Sequence, residues 1–167
     1  MDLPKRKHPR LKCYDYSQNG SYFVTIQTKP ACPSLSTVGR GLAPAALMLS
    51  AHGKIVEDQL LALEIRFPNV KIDHYVIMPN HIHAILTLTD TAGASPRPTL
   101  SAVVGAWKSL ATRLCNQRDQ TPGRAIFQAS FYERVLRNEA GYLAACKYME
   151  ENPAKWLESG KEPDFRV

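Results

Sequence analysis

The chain has 167 residues, 44% of them hydrophobic and 22% charged, with a formal net charge of +6. That length suits one domain with its own core, free of any need for disulfide or metal staples, and the composition excludes wholesale disorder. No uncharged apolar run reaches the roughly 18 residues of a membrane-spanning helix, and the basic start MDLPKRKHPRLKCYDYS lacks the apolar stretch of a secretory signal.

Residues 21–28, SYFVTIQT, are aromatic and β-branched and read as a strand. The proline- and glycine-containing stretch from Lys29 to Pro44 reads as loop, and Leu47–Leu49 as a short strand or a helix start. Residues 54–66, KIVEDQLLALEIR, place Ile55, Val56, Leu60 and Leu63 along one side and predict an amphipathic helix that stops before Phe67-Pro68. IDHYVIM and HIHAILTLT flank Pro79-Asn80 and predict an antiparallel hairpin; Pro-Asn is not a favoured primed-turn pair, so the turn type is open. Residues 90–98 read as loop. Thr99 to Gln117 predicts a helix with Val103, Ala106, Trp107, Leu110 and Leu114 as its stripe. FQASFYERVLR is partly strand-like. Asn138 then caps a last helix, with Tyr142, Ala145, Cys146 and Met149 on its apolar side, that ends near Glu151 before Pro153. The order β-α-β-β-α-(β)-α predicts an α+β fold, an antiparallel sheet with helices packed on it.

Charge is unevenly spread. Residues 1–12 carry a net +4, residues 97–138 a net +5 and residues 139–167 a net −2. Two basic zones are the footprint of a polyanion binder. The four cysteines, at 13, 32, 115 and 146, show no C-x-x-C pair and read as reduced thiols of a cytoplasmic protein.

Three features carry chemistry. His81 and His83 share one strand face, as i and i+2 do, while Ile82, Ala84, Leu86 and Leu88 point the other way. Such a pair is either a metal-binding imidazole pair or two surface histidines. Tyr148 flanks the apolar stripe of the last helix, so boundary packing and nucleophilic use are both open. Asn152 follows at i+4 on the same face, immediately before proline.

Together these residues resemble a family. DHYVIMPNHIHAIL, at 73–86, is similar to the signature of the HUH single-tyrosine transposases, in particular the REP-associated tyrosine transposases related to small insertion-sequence transposases. The likeness continues in order through RLKCYDYSQNGSYFVTIQT, HGKIVEDQ, VVGAWKSLATRLCN, FYERVLRNE and YMEENPAKW, nearly the whole chain. It implies a ferredoxin-like, RRM-like HUH endonuclease fold in a single domain of residues 1–167, with a basic N-terminal arm at 1–18 and a C-terminal tail at 153–167.

The resemblance implies that His81 and His83 bind one divalent metal, Mg²⁺ or Mn²⁺, with Asn152 where related enzymes place a third ligand, and that Tyr148 is the nucleophile. The partner it implies is single-stranded DNA with hairpin structure, nicked and rejoined through a 5′-phosphotyrosine, in a cytoplasmic, nucleoid-associated protein without membrane or nucleotide cofactor. Monomer and homodimer are both compatible with it. Arg10, Lys12, Lys108, Arg113, Arg118, Arg134 and Arg137 become candidate phosphate contacts, and Tyr14, Tyr16 and Trp107 candidate stacking residues, Trp107 being better placed for the core. Arg134 stands where many relatives have His, and Phe127 where Trp is frequent. A non-catalytic hairpin binder would need none of the histidines or Tyr148. A zinc hydrolase would need a third strong ligand from His52, His74 or Glu57.

Overall fold

The computed structural model describes residues 15–16, 18–39, 45–90 and 98–159. Arg10, Lys12, Cys13 and Tyr14, the rest of the expected basic arm before Asp15, and most of the 90–98 loop lie outside those residues. Ten elements follow in order: β1 (Gly20–Gln27), β2 (Ser36–Gly39), β3 (Ala46–Leu49), α1 (Ala51–Leu61), α2 (Leu63–Arg66), β4 (Val70–Ile77), β5 (His81–Leu88), α3 (Leu100–Asp119), β6 (Tyr132–Leu136) and α4 (Glu139–Ser159).

The main sheet has the order β4-β5-β1-β6, antiparallel throughout. With α1 after β1 and α3 after β5, this is the ferredoxin-like βαββαβ arrangement expected from the sequence, with α4 added. One face is hydrocarbon: Tyr22, Val24 and Ile26 of β1 and Ile82, Ala84, Leu86 and Leu88 of β5 pack with Val56, Leu60, Val103 and Trp107 of α1 and α3. On the other face Ile85, Val76 and Met78 meet Ala145 and Met149 of α4. Strand parity thus decides which residues face which helices.

A β-bulge between Ile72 and His74 keeps β4 on this plan. Val70 and Ile72 pack toward the α1/α3 core before it, and Tyr75 and Ile77 after it. The even-to-odd switch needs one extra residue, Asp73. The Pro79-Asn80 turn closes with Met78 N–H donating to the His81 carbonyl at 2.9 Å. Neither turn residue has positive φ, so the turn is not type I′. It is held from outside instead: Thr28 N–H donates to the Asn80 carbonyl and Leu35 N–H to that of Pro79, both at 2.9 Å.

Four expectations change. The 29–44 stretch is not all loop, because β2 pairs with β3 as a separate two-stranded ribbon; its four-residue strands are too short for a period-2 signal. The helix at 54–66 starts earlier, at Ala51, because the Ser50 side chain accepts from Gly53 N–H at 3.0 Å, and it is interrupted at Ala62. The α3 stripe is Leu100, Val103, Val104, Trp107, Ala111 and Cys115, whereas Ala106, Leu110 and Leu114 are half-buried. The anchor is Trp107, whose indole N–H donates to the Val56 carbonyl at 3.0 Å.

The fourth change matters most: Pro153 does not end the last helix, and 153–159 is no tail. Residues 154–159, AKWLES, continue α4 to Ser159. A proline inside a helix removes one backbone hydrogen bond and costs about 3 kcal/mol. Here the buried ring of Pro153 and the packing of Trp156 on the α4-side core offset that cost. Among the described residues no helix is long and apolar enough to cross a membrane.

Candidate active site

The odd-numbered side chains of β1 and β5 build the site. His81 and His83 are fully buried under α4, with ring centroids 4.8 Å apart. They are not surface histidines. Phe23 stacks on His83 at 5.2 Å and 21°. Tyr148 comes down from α4 of the same chain, 5.3 Å from His83 and edge-on to it. Trp156 lies 6.0 Å from His81. Asn152 is fully buried one turn after Tyr148 and interacts with His81.

Each imidazole is held by a neighbour. Asn80 Oδ1 lies 2.7 Å from His81 Nδ1. A carbonyl oxygen can only accept, so Nδ1 carries the proton and Nε2 the lone pair. The Thr25 hydroxyl, directly across from His83 in the sheet, lies 2.9 Å from His83 Nδ1. Both contacts orient their rings, and the Asn80 carbonyl also fixes the tautomer of His81.

Burial holds both rings neutral. It pushes His81 down to about 4, against a partial opposing effect of Asn152. It pushes His83 down to about 3, helped by the neighbouring His81. An imidazole in the unfolded chain takes its proton near pH 6.5. Between pH 6.5 and 4 the unfolded state therefore binds more protons, and stability is lost as pH falls through that window. In EDTA, denaturant unfolding at pH 7, 6 and 5 should show that decline, up to about 1.4 kcal/mol per pH unit for each histidine. It should be shallower in His83→Gln. An equal slope in the variant would remove His83 from the effect.

Lys155 is a residue the sequence reading missed. Its ammonium lies 5.7 Å from the centroid of the Tyr148 ring and pairs with Glu151 at 2.8 Å. Glu151 first, and Tyr148 to a smaller degree, raise its pKa. The signal was present: 148, 152 and 155 share a helix face, provided that the helix continues through Pro153.

The basic zone at 97–138 does not form one surface. Arg134 lines the cavity beside Tyr148, whereas Arg137 lies in a separate depression with Asn138 and Gly141; both are exposed, and neither has an acidic partner among the described residues. Arg113 lies on α3, across the sheet. Lys108 is also on α3, and its Nζ donates to the carbonyls of Gln128, at 2.6 Å, and Ala129, at 3.2 Å. That ties the 128–130 segment down, and desolvation lowers the pKa of this amine. Arg118 and Arg124 pair with Asp119, at 3.4 and 2.6 Å. Arg124 and His52 together draw that carboxyl down to about 2.

Trp107 is core. Tyr16 packs on Tyr22 with centroids 6.1 Å apart. The three residues considered as a third zinc ligand are used elsewhere: His52 by Asp119, His74 by Glu150 and Glu57 by the Tyr75 hydroxyl. Among the described residues no group of three or more His, Cys, Asp or Glu side chains gathers around a common point.

No family model matches the chain. A Haemophilus influenzae protein of unassigned function is 26% identical over 167 residues, spanning 90% of this chain and 89% of that one. Among solved structures, a REP-associated tyrosine transposase bound to a REP hairpin superposes with a TM-score of 0.63 at 21% identity, covering 85% of this chain and 71% of that one. The two proteins share a fold. A candidate transposase from Deinococcus radiodurans gives a TM-score of 0.49 at 16% identity, over 85% of this chain and 95% of that one. The resemblance read from the sequence thus extends to the architecture, with His81, His83 and Tyr148 gathered at one point of it.

Proposed function

We propose that this protein is a metal-dependent single-stranded DNA endonuclease and strand-transferase of the HUH single-tyrosine type, acting on hairpin-containing DNA. The observation that carries the reading is Tyr148 standing against His83 over a buried His81–His83 pair whose rings are held neutral.

The donor set fits a divalent ion. The Nε2 lone pairs of His81 and His83 and the carboxamide oxygen of Asn152 are neutral ligands, leaving positions for phosphate and water. Bound there, Mg²⁺ or Mn²⁺ would supply Lewis-acid polarisation of the scissile phosphate; imidazole ligands favour Mn²⁺. Tyr148 does the covalent step. Its phenolate oxygen attacks phosphorus, the P–O3′ bond breaks, and the departing O3′ takes a proton to become a 3′-OH. The product is a 5′-phosphotyrosine that conserves the phosphodiester, so a later 3′-OH can reverse the step without ATP. The Lys155 ammonium beside the ring favours the phenolate. Arg134 and Arg137 offer phosphate contacts on the approach.

Incubation with single-stranded DNA hairpins and Mn²⁺ should yield a covalent protein–DNA adduct that EDTA prevents. An EDTA-insensitive adduct would remove the metal from the mechanism. The roles of Asn80 and Thr25 are separable from turnover. Asn80→Ala and Thr25→Val should each weaken Mn²⁺ binding, read by electron paramagnetic resonance, by about 10–100-fold, and Thr25→Ser should restore it. Unchanged Mn²⁺ affinity in both variants would show that the Nδ1 partners do not prepare the ligands.

A further inference from the structure

Beside Tyr148 the sheet opens into a cavity of about 310 Å³. Its floor is Phe23, Thr25 and His83; one wall is Tyr132, Glu133 and Arg134 of β6, and the other is α4, where Ala144 and Ala145 keep the space open. Register fixes the spacing. His83 pairs with Thr25, and Thr25 pairs with Tyr132, so the three stand in one row across three adjacent strands. Strands lie about 4.8 Å apart, which sets Tyr132 roughly 10 Å from His83. That is the reach of a nucleotide next to a phosphate held at the histidines. Tyr132 is an edge-strand residue with half its surface exposed (50%), unusual for so large an aromatic ring. Arg134, two residues on, shares its face and has no acidic partner among the described residues.

We infer that this cavity is a nucleobase slot: a base flanking the scissile phosphate of single-stranded DNA enters between β6 and α4 and stacks on Tyr132, while Arg134 holds the adjoining phosphate. The inference rests on the function proposed above and adds the substrate contact that would choose which phosphate reaches Tyr148. An aromatic ring lining the slot suits a base's π face, and an exposed guanidinium at the rim suits the charge attached to it.

The test is binding in EDTA, where no adduct forms, of a fluorescein-labelled DNA hairpin with a short randomised single-stranded extension, read by anisotropy. Tyr132→Ala should weaken binding about tenfold, the loss of one stacked base. Tyr132→Phe should retain near-wild-type affinity. On a hairpin with an abasic extension, Tyr132→Ala and wild type should bind alike. Equal weakening on intact and abasic extensions, or none on either, would overturn the slot. Covalent adduct formation separates the two readings: an adduct together with unaltered Tyr132→Ala binding overturns the slot and keeps the proposed function, whereas base-dependent binding with no adduct under any metal keeps the slot and overturns the nuclease.

Discussion

Replacing Tyr148 by phenylalanine should reduce the covalent protein–DNA adduct at least about a thousandfold, the scale on which loss of a nucleophile is felt. The variant is a clean one. The ring that lies 5.3 Å from His83 and 6.0 Å from Phe23 is retained, so only the oxygen is lost. Melting temperature and hairpin binding should stay at wild-type values. Retention of the full adduct would move the nucleophile elsewhere, and the exposed Tyr132, on the same face, would be the next residue to replace.

Gly53→Ala should have the largest effect on the fold. Gly53 is buried in the first turn of α1, where an added Cβ would lie 1.9 Å from the backbone carbonyl oxygen of Leu35. Backbone cannot swing aside as a side chain can. That same oxygen accepts from Ser50 N–H at 2.9 Å and from the Ser50 hydroxyl at 3.0 Å, so moving it also strains the residue that caps α1. Overpacking of this kind costs about 3 kcal/mol, which outweighs the helix-propensity gain of about 1 kcal/mol from alanine. For a domain of this size the melting temperature should fall by roughly 4–8 °C. A melting temperature at or above wild type would mean that the Leu35 loop yields freely.

Much of this could be read from the residues. The alternation of Ile82, Ala84, Leu86 and Leu88 with His81 and His83 assigned β5 its two faces, because a period of two is a direct consequence of strand geometry. Asn138 as a cap was legible because capping is a local bond within one turn: its Oδ1 accepts from Gly141 N–H at 2.8 Å. What escaped depends on contacts distant in sequence. Lys108 and Arg113 read as basic residues, but a one-dimensional charge count cannot tell which side of a sheet a cation occupies. Arg118 read as a phosphate contact, yet it pairs with Asp119, which Arg124 also engages. Most consequential was Pro153. Local propensity ends a helix there, and only the packing of Trp156 under the sheet shows why this one continues. Ending the helix at Glu151 hid Lys155, and with it a positive charge beside the Tyr148 ring.

The two-faced sheet has an evolutionary consequence. On β1, β5 and β6 the residues that hold the molecule together alternate, one by one, with those that surround the histidines and tyrosine. A substitution at Thr25, Tyr132 or Arg134 meets α4 and the cavity, whereas one at Val24 or Ala84 meets the α1/α3 core. The residues that line the cavity can therefore change one at a time while the α1/α3 core keeps its sequence. A chain built this way can exchange the residues around the histidines and tyrosine without first having to survive a loss of core packing.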